Sequence, residues 1–361
     1  MREEQVARRA RWEATRASTL NRPEAACERW ATRLSSSDRD TAGSDNLDLA
    51  APSTSCPVGR HVGIGGGYIK ALDYARRVGC AAVQVFPGNP TGWRHAPLQD
   101  GLAPRVRAAA CQAGLAPVVI HAPYIINLAS PDEALRARSR AGLANCLSRA
   151  DEIGATAVVL HVGSHRGTGV EAGIERLTDS VREILDGYQG AARVLLENSV
   201  GAGNTLGGPF EELSRMLTLL PVHRVGLCLD TAHVWGAGHD ISTASGGQAM
   251  VASLAASGCL DRLGLLHLND SAVGLGSRRD VHALLGEGAI GLAGLGGVLT
   301  ALGDAGARAP IILETADDGP ARETLWQRLV GYLLDGDLEA AEACHGAAMA
   351  LPVEQGSFPE G

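Results

Sequence analysis

The chain has 361 residues, 45% hydrophobic and 20% charged, with 32 Lys and Arg against 40 Asp and Glu. That length allows one large barrel or two ordinary domains, and no apolar run approaches the roughly 18 residues a membrane span requires. The net charge of −8 argues against a plain basic nucleic-acid surface, although bound divalent metal would change the local sign.

Residues 1–56 are rich in Arg, Glu, Ala, Ser and Asp and end in a Ser/Pro/Asp linker-like run, so a disordered N-terminal extension is expected there. The extension lacks the apolar core of a secretory signal. The 8 cysteines include no C-x-x-C pair; reduced thiols in a cytoplasmic protein are the expectation. From residue 57 to 335 the pattern alternates. Val58–Val62 reads as extended, Tyr68–Val78 as helix, Ala81–Phe86 as strand and Leu102–Ala113 as helix. Five short apolar runs then each end on a metal-type side chain: Ala116–His121, Ala157–His161, Arg193–Glu197, Val225–Asp230 and Leu263–His267. A sixth, Pro310–Glu314, follows. Between them Glu133–Ile153, Gly173–Leu185, Phe210–Leu220, Gln248–Ala256 and Leu292–Leu302 have helical spacing. Arg322–Leu334 reads as the last helix, and residues 336–361 as a weakly ordered tail.

Apolar runs of this length are what buried parallel strands look like, and each interval is long enough for a crossover helix. Eight such units close most simply as a (β/α)8 TIM barrel, with an open doubly wound sheet as the alternative. Acids and imidazoles at strand ends are not needed for packing. In a parallel barrel the carboxyl end of the sheet is where chemistry sits. Six strand-end ligands exceed what one zinc takes and suit a two-metal pair. His233, three residues after Asp230, and the extended pair Asp280 and His282 could hold a third ion if the loop bends to bring them together. A lone Asp before a helix is more often an N-cap and a lone strand-end His more often structural; their joint occurrence at six strand ends is what favours metal.

Several longer stretches carry a family signature: His121-Ala-Pro-Tyr124-Ile-Ile-Asn127, His161-Val-Gly-Ser-His165, Glu197-Asn198, Leu229-Asp230-Thr-Ala-His233, and the run from His267-Leu-Asn269-Asp270 through Asp280-Val-His282 to Gly288, with Ile312-Leu-Glu314-Thr closing the set. From about Val58 to Leu334 the chain resembles the endonuclease IV family of apurinic/apyrimidinic endonucleases. The resemblance implies three zinc ions, with manganese as an alternative occupant of one site. His121, His161 and Glu197 would hold the first, and Glu197 would bridge to the second, completed by Asp230, His267 and Glu314. His233, Asp280 and His282 would hold the third. It further implies hydrolysis of damaged double-stranded DNA on the 5′ side of abasic sites, with Glu197 positioning the attacking hydroxide. A monomer is expected, since DNA must reach the barrel mouth.

Tyr124 sits where the family places a DNA-contacting tyrosine, with a packed rim aromatic as the bland reading. Relatives put an arginine near position 91, where this chain has Thr91; either Trp93 or Arg94 takes its place against DNA, or the lesion is held differently. His61 and His165 read as structural, and Asn198, Asn269 and Asp270 as hydrogen-bond partners that orient the ligands. A sugar isomerase or epimerase on the same barrel would need only Glu197, Asp230, His267 and Glu314.

Overall fold

A computed structural model of the chain describes residues 56–93 and 96–354; the expected N-terminal extension and Arg94 lie outside them. Eight parallel strands form a closed barrel: β1 (Val58–His61), β2 (Ala82–Val85), β3 (Val118–His121), β4 (Ala157–His161), β5 (Arg193–Glu197), β6 (Val225–Asp230), β7 (Leu263–His267) and, after a two-stranded ribbon of β8 (Asp270–Ser271) and β9 (His282–Ala283), β10 (Ile311–Leu313). Each strand pairs with its sequence neighbours, and β10 pairs with both β7 and β1 to shut the ring. The alternating pattern therefore gives a (β/α)8 barrel, not an open sheet.

Strand periodicity explains how the site is placed. A cluster of Ala82, Val119, Ala157, Val159, Leu195, Cys228, Leu265 and Ile312 fills the barrel interior. Side chains alternate faces along a strand, so the residue two further on points the same way, one layer nearer the mouth. Those residues are Gln84, His121, His161, Glu197, Asp230, His267 and Glu314. The apolar layer is the floor and the polar layer the site. At β1 the floor position is Gly59, where an added Cβ would run into the Ala82 carbonyl of the neighbouring strand.

Around the barrel pack α1 (Tyr68–Arg77), α2 (Leu102–Gln112), α3 (Glu133–Ile153), α4 (Val170–Gly187), α5 (Phe210–Thr218), α6 (Thr231–Ala237), α7 (Ala244–Ala256), α8 (Gly291–Asp304) and α9 (Pro320–Leu334). α3 starts where Asp132 accepts from the Leu135 backbone N–H at 3.1 Å, a side-chain N-cap. No helix among the described residues is long and apolar enough to cross a membrane.

Within the expected weakly ordered tail, Leu338–Ala350 form a helix, α10, and residues 355–361 lie outside the described residues. Asp337 caps it, and its buried face consists of Ala341, Cys344 and Ala348. That stripe is too small and too alanine-rich to stand out in a hydrophobic pattern. Arg322 of α9, itself buried, donates to the carbonyls of Leu351 and Met349 and ties down the end of α10.

Candidate metal centre

All seven mouth-layer side chains and the loop after β8 converge on one buried polar cluster. His121 Nε2 and His161 Nε2 lie 3.3 and 3.1 Å from Glu197 Oε2. The other carboxylate oxygen, Oε1, is 3.0 Å from His267 Nδ1, which is also 3.1 Å from Glu314 Oε2 and 3.9 Å from Asp230 Oδ2. Glu197 thus turns one oxygen to each of two donor groups. A third group forms where Asp280 stands 3.0 Å from His233 Nε2 and 3.1 Å from His282 Nε2, with Asp230 Oδ2 3.7 Å from the latter. The loop bend that the Asp280/His282 pair required is present.

Asp230 is an N-cap and also faces the cluster. Its Oδ1 accepts from the His233 backbone N–H at 2.8 Å and starts α6, while Oδ2 faces the cluster. Capping therefore sets the direction in which His233 leaves the strand. The far sides of the rings are tied as well: His121 Nδ1 lies 2.7 Å from the Ala122 carbonyl and His233 Nδ1 2.8 Å from the Asn198 carbonyl. Such ties aim the other ring nitrogen at the centre. Asn269 Nδ2 donates to Asp230 Oδ2 and Glu314 Oε2, and Asn198 holds the Asp230 backbone on both sides. Both asparagines thus hydrogen-bond the expected ligand residues. Asp270 does not: it touches none of the nine and bonds to backbone instead.

The buried charges of the cluster act strongly on one another. Burial alone would push the Glu197 carboxyl up, but His161 and His267 hold it well below the carboxylate range. Burial works against His267 and His233 too, yet the neighbouring acids raise both well above an ordinary imidazole; Cys228 and Glu314 act on His267, and Asp230 and Asp280 on His233. His282, opposed by burial and supported by Asp280 and Asp230, rises to about 9. Imidazole nitrogens and carboxylate oxygens of this kind suit zinc. Three of the groups supply ligand atoms within 4.8 Å of one another: His121, His161 and Glu197; Glu197, Asp230, His267 and Glu314; and Asp230, His233 and His282. His282 Nε2 is buried without a hydrogen-bond partner although two carboxylates are near. That orphaned donor atom is what a coordination position looks like, so the residues fit bound metal. Uptake must displace imidazole protons, so loading weakens as pH falls. Loaded protein is expected to melt several degrees above chelator-stripped protein in calorimetry, because an ion that binds only the fold stabilises it; identical melting curves would remove metal from the account.

One member of the mouth layer, Gln84, is absent from the sequence-derived site. Fully buried in β2, it donates to Glu314 Oε1 at 2.7 Å, and its Oε1 lies 2.9 Å from His267 Nε2. A lone amide inside an otherwise apolar strand is the signal that could have found it. His61 reaches Gln84 Nε2 through Nδ1 at 3.0 Å, while its Nε2 is buried without a hydrogen-bond partner. His165 Nδ1 accepts from the Gly169 N–H at 3.1 Å, away from the centre. Tyr124 is 57% exposed at the rim, its ring 5.4 Å from those of His121 and His161. Trp93 lies beneath the Arg138 guanidinium at 5.1 Å and walls a cavity, while Thr91 sits exposed at the loop tip, bonded to Asn89.

The description "Xylose isomerase-like TIM barrel" fits a family model matched over residues 72–335. A Methanoculleus marisnigri protein named "Probable endonuclease 4" is 39% identical over 269 residues, 74% of this chain and 95% of that one. The chain belongs to the endonuclease IV family of enzymes. A second relative of the same name, from Chloroflexus aurantiacus, is 39% identical over 65% of this chain and 83% of its own length. The crystal structure of endonuclease IV from Thermus thermophilus superposes with a TM-score of 0.67 at 34% identity, covering 79% of this chain and 99% of that one. A D-tagatose 3-epimerase-like protein, at 17% identity and a TM-score of 0.58, shares the fold alone.

Proposed function

We propose that this endonuclease IV family member is a zinc-dependent enzyme that hydrolyses the phosphodiester 5′ to abasic sites in double-stranded DNA, leaving a 3′-hydroxyl and a 5′-deoxyribose phosphate, and trims blocked 3′ ends by the same chemistry. It would act in base excision repair, as a cytoplasmic monomer. The observation that carries the reading is the split of Glu197 between two donor groups, beside a third built from His233, Asp280 and His282. A sugar epimerase would leave His121, His161 and that third group without a use.

In this reading the nine ligands hold three zinc ions, which when bound make water nucleophilic near neutral pH and neutralise charge on the phosphoryl oxygens. The chain's own residues do the rest. Gln84 and Asn269 fix ligand carboxylates, and Asn198 fixes the Asp230 backbone and, through its carbonyl, the His233 ring, so that little rearrangement accompanies the reaction. Beside the ligands opens a cavity of about 560 Å³ with apolar walls including Trp93, Ile126, Leu135 and Val200. A sugar without a base is cheaper to extrude from the duplex, and walls of this kind favour it over an intact nucleotide. Arg166 at the cavity edge supplies a cation for a flanking phosphate, and the exposed ring of Tyr124 offers a stacking face. Tyr124→Ala is expected to weaken binding of abasic duplex by about 1–3 kcal/mol, as for loss of one stacked base. Fluorescence anisotropy would measure it, with Tyr124→Phe close to wild type; equal affinities for all three proteins would leave Tyr124 a packing residue.

The deciding experiment is incision of a duplex carrying one abasic analogue by zinc-loaded protein, beside an undamaged control. Cleavage 5′ to the lesion with a 3′-hydroxyl product and an intact control is the expected result. No cleavage at full zinc occupancy would overturn the assignment and move the weight to a sugar substrate.

A further inference from the structure

Asp270 is fully buried and has no cationic partner among the described residues, yet its carboxylate is saturated. Oδ1 accepts from the backbone N–H groups of Ser271, Ile290 and Gly291 at 2.8, 3.0 and 3.3 Å. Oδ2 accepts from those of Gly286, Gly288 and Gly291 at 3.0, 3.1 and 3.2 Å. Most of these N–H groups come from the far end of the excursion that leaves the barrel after β8 and carries Asp280 and His282. Gly288 approaches so closely that an added Cβ would meet the Asp270 carboxylate, and Gly286 turns with φ +88. Elsewhere the excursion is held by a two-residue ribbon, Asp270–Ser271 against His282–Ala283, and near its tip by bonds from the Gly276 and Arg278 N–H groups to the Trp235 and Gly236 carbonyls, from Trp235 Nε1 to the Val273 carbonyl and from Arg278 to the Gly201 carbonyl. Its return past Gly286 is where the Asp270 bonds gather.

We propose that Asp270 is a positioning residue: by clamping the return of this excursion it fixes where Asp280 and His282 meet His233, and so sets whether the third donor group can hold an ion. The inference rests on the three-ion reading of the site. It separates the third group, which depends on a loop, from the first two, whose ligands all stand on or directly after barrel strands. Asn at position 270 keeps the size but turns an NH₂ donor toward N–H groups, and Gly288→Ala disturbs the clamp from the other side while leaving the carboxylate in place.

The test uses the full zinc-loaded chain and a chromogenic chelator, with hydrogen exchange in parallel. Asp270→Asn and Gly288→Ala are expected to release one of three zinc ions about 10–100-fold faster, the effect of losing an orienting partner of a metal site, while the other two leave at the wild-type rate. The amides of Gly286, Gly288, Ile290 and Gly291 should exchange faster in both variants. A purely structural role would lower the melting temperature and speed release of all three ions together, which would overturn the proposal. So would unchanged release and exchange. Should the wild-type chain bind fewer than three ions, the three-ion reading fails on that count alone. Amide exchange then still decides the clamp: faster in both variants upholds it, unchanged rejects it.

Discussion

Replacing Glu197 with Ala is expected to lower incision of abasic duplex by roughly 10³-fold or more, about 4 kcal/mol at the barrier. Glu197 turns one oxygen to His161, 3.1 Å away, and the other to His267, 3.0 Å away, and so faces both of the first two donor groups. Its loss leaves His121 and His161 without a shared acid and removes one of three acids around His267. Metal content measured on the same preparation should fall at the first two groups and persist at the third, where Glu197 is no nearer than 3.6 Å to His233 Nδ1, the ring atom facing away from Asp280. Glu197→Gln keeps the volume and one acceptor but no charge, and should retain fold with little activity. Normal rates with full metal content in either variant would count against the whole scheme.

The second large effect is on stability. Arg60 projects from β1 away from the barrel interior and ion-pairs with Glu323 of α9, the two side chains 3% and 1% exposed. Arg60 Nη2 also donates at 2.9 Å to the carbonyl of Thr315, the residue after Glu314. Removing one member of a buried pair strands the other, so Arg60→Met is expected to cost about 3–5 kcal/mol at pH 8. Burial lifts the Glu323 carboxyl to about 7 even though Arg60 pulls it down. A raised folded pKa means that the contribution of Glu323 is full below its ordinary value near 4.5 and is lost as pH rises through about 7. Without Arg60 the folded pKa climbs further and the loss continues above about 7, where wild type has levelled off. Urea unfolding at about pH 5.5 and about pH 8 should therefore show a gap that widens with pH. Arg60→Met with Glu323→Leu should recover most of it; a gap equal at both pH values would show that the ion pair is not the cause.

The barrel and the ring of polar side chains at its mouth are legible in the sequence because both depend on short-range periodicity. A buried parallel strand is a brief apolar run, and the mouth residue falls two positions after a core residue, as Leu195 and Glu197 illustrate. Metal-type side chains at those positions stand out against Val and Leu. Features with weaker local contrast do not show. Gln84 is one amide in a four-residue strand. The last helix hides behind alanines, and Thr231–Ala237 is too short a helix to show a periodic face. Asp270 reads from the sequence as a partner of its neighbours, whereas its six bonds go to residues up to 21 positions away. Spacing along a loop carries no sign of where the loop returns.

The distribution of ligands along the chain also sets an order on its synthesis. A polypeptide leaving the ribosome amino end first has His121, His161 and Glu197 in hand once β5 has emerged, and Asp280 and His282 well over a hundred residues after the first of these. Glu314 comes last, directly after the strand that pairs with β1 to shut the ring. Completion of the second donor group and closure of the barrel are therefore one event. A nascent chain can complete only the first donor group at Glu197 until its final strand arrives, and a product truncated before Ile311 has neither a ring nor the second donor group.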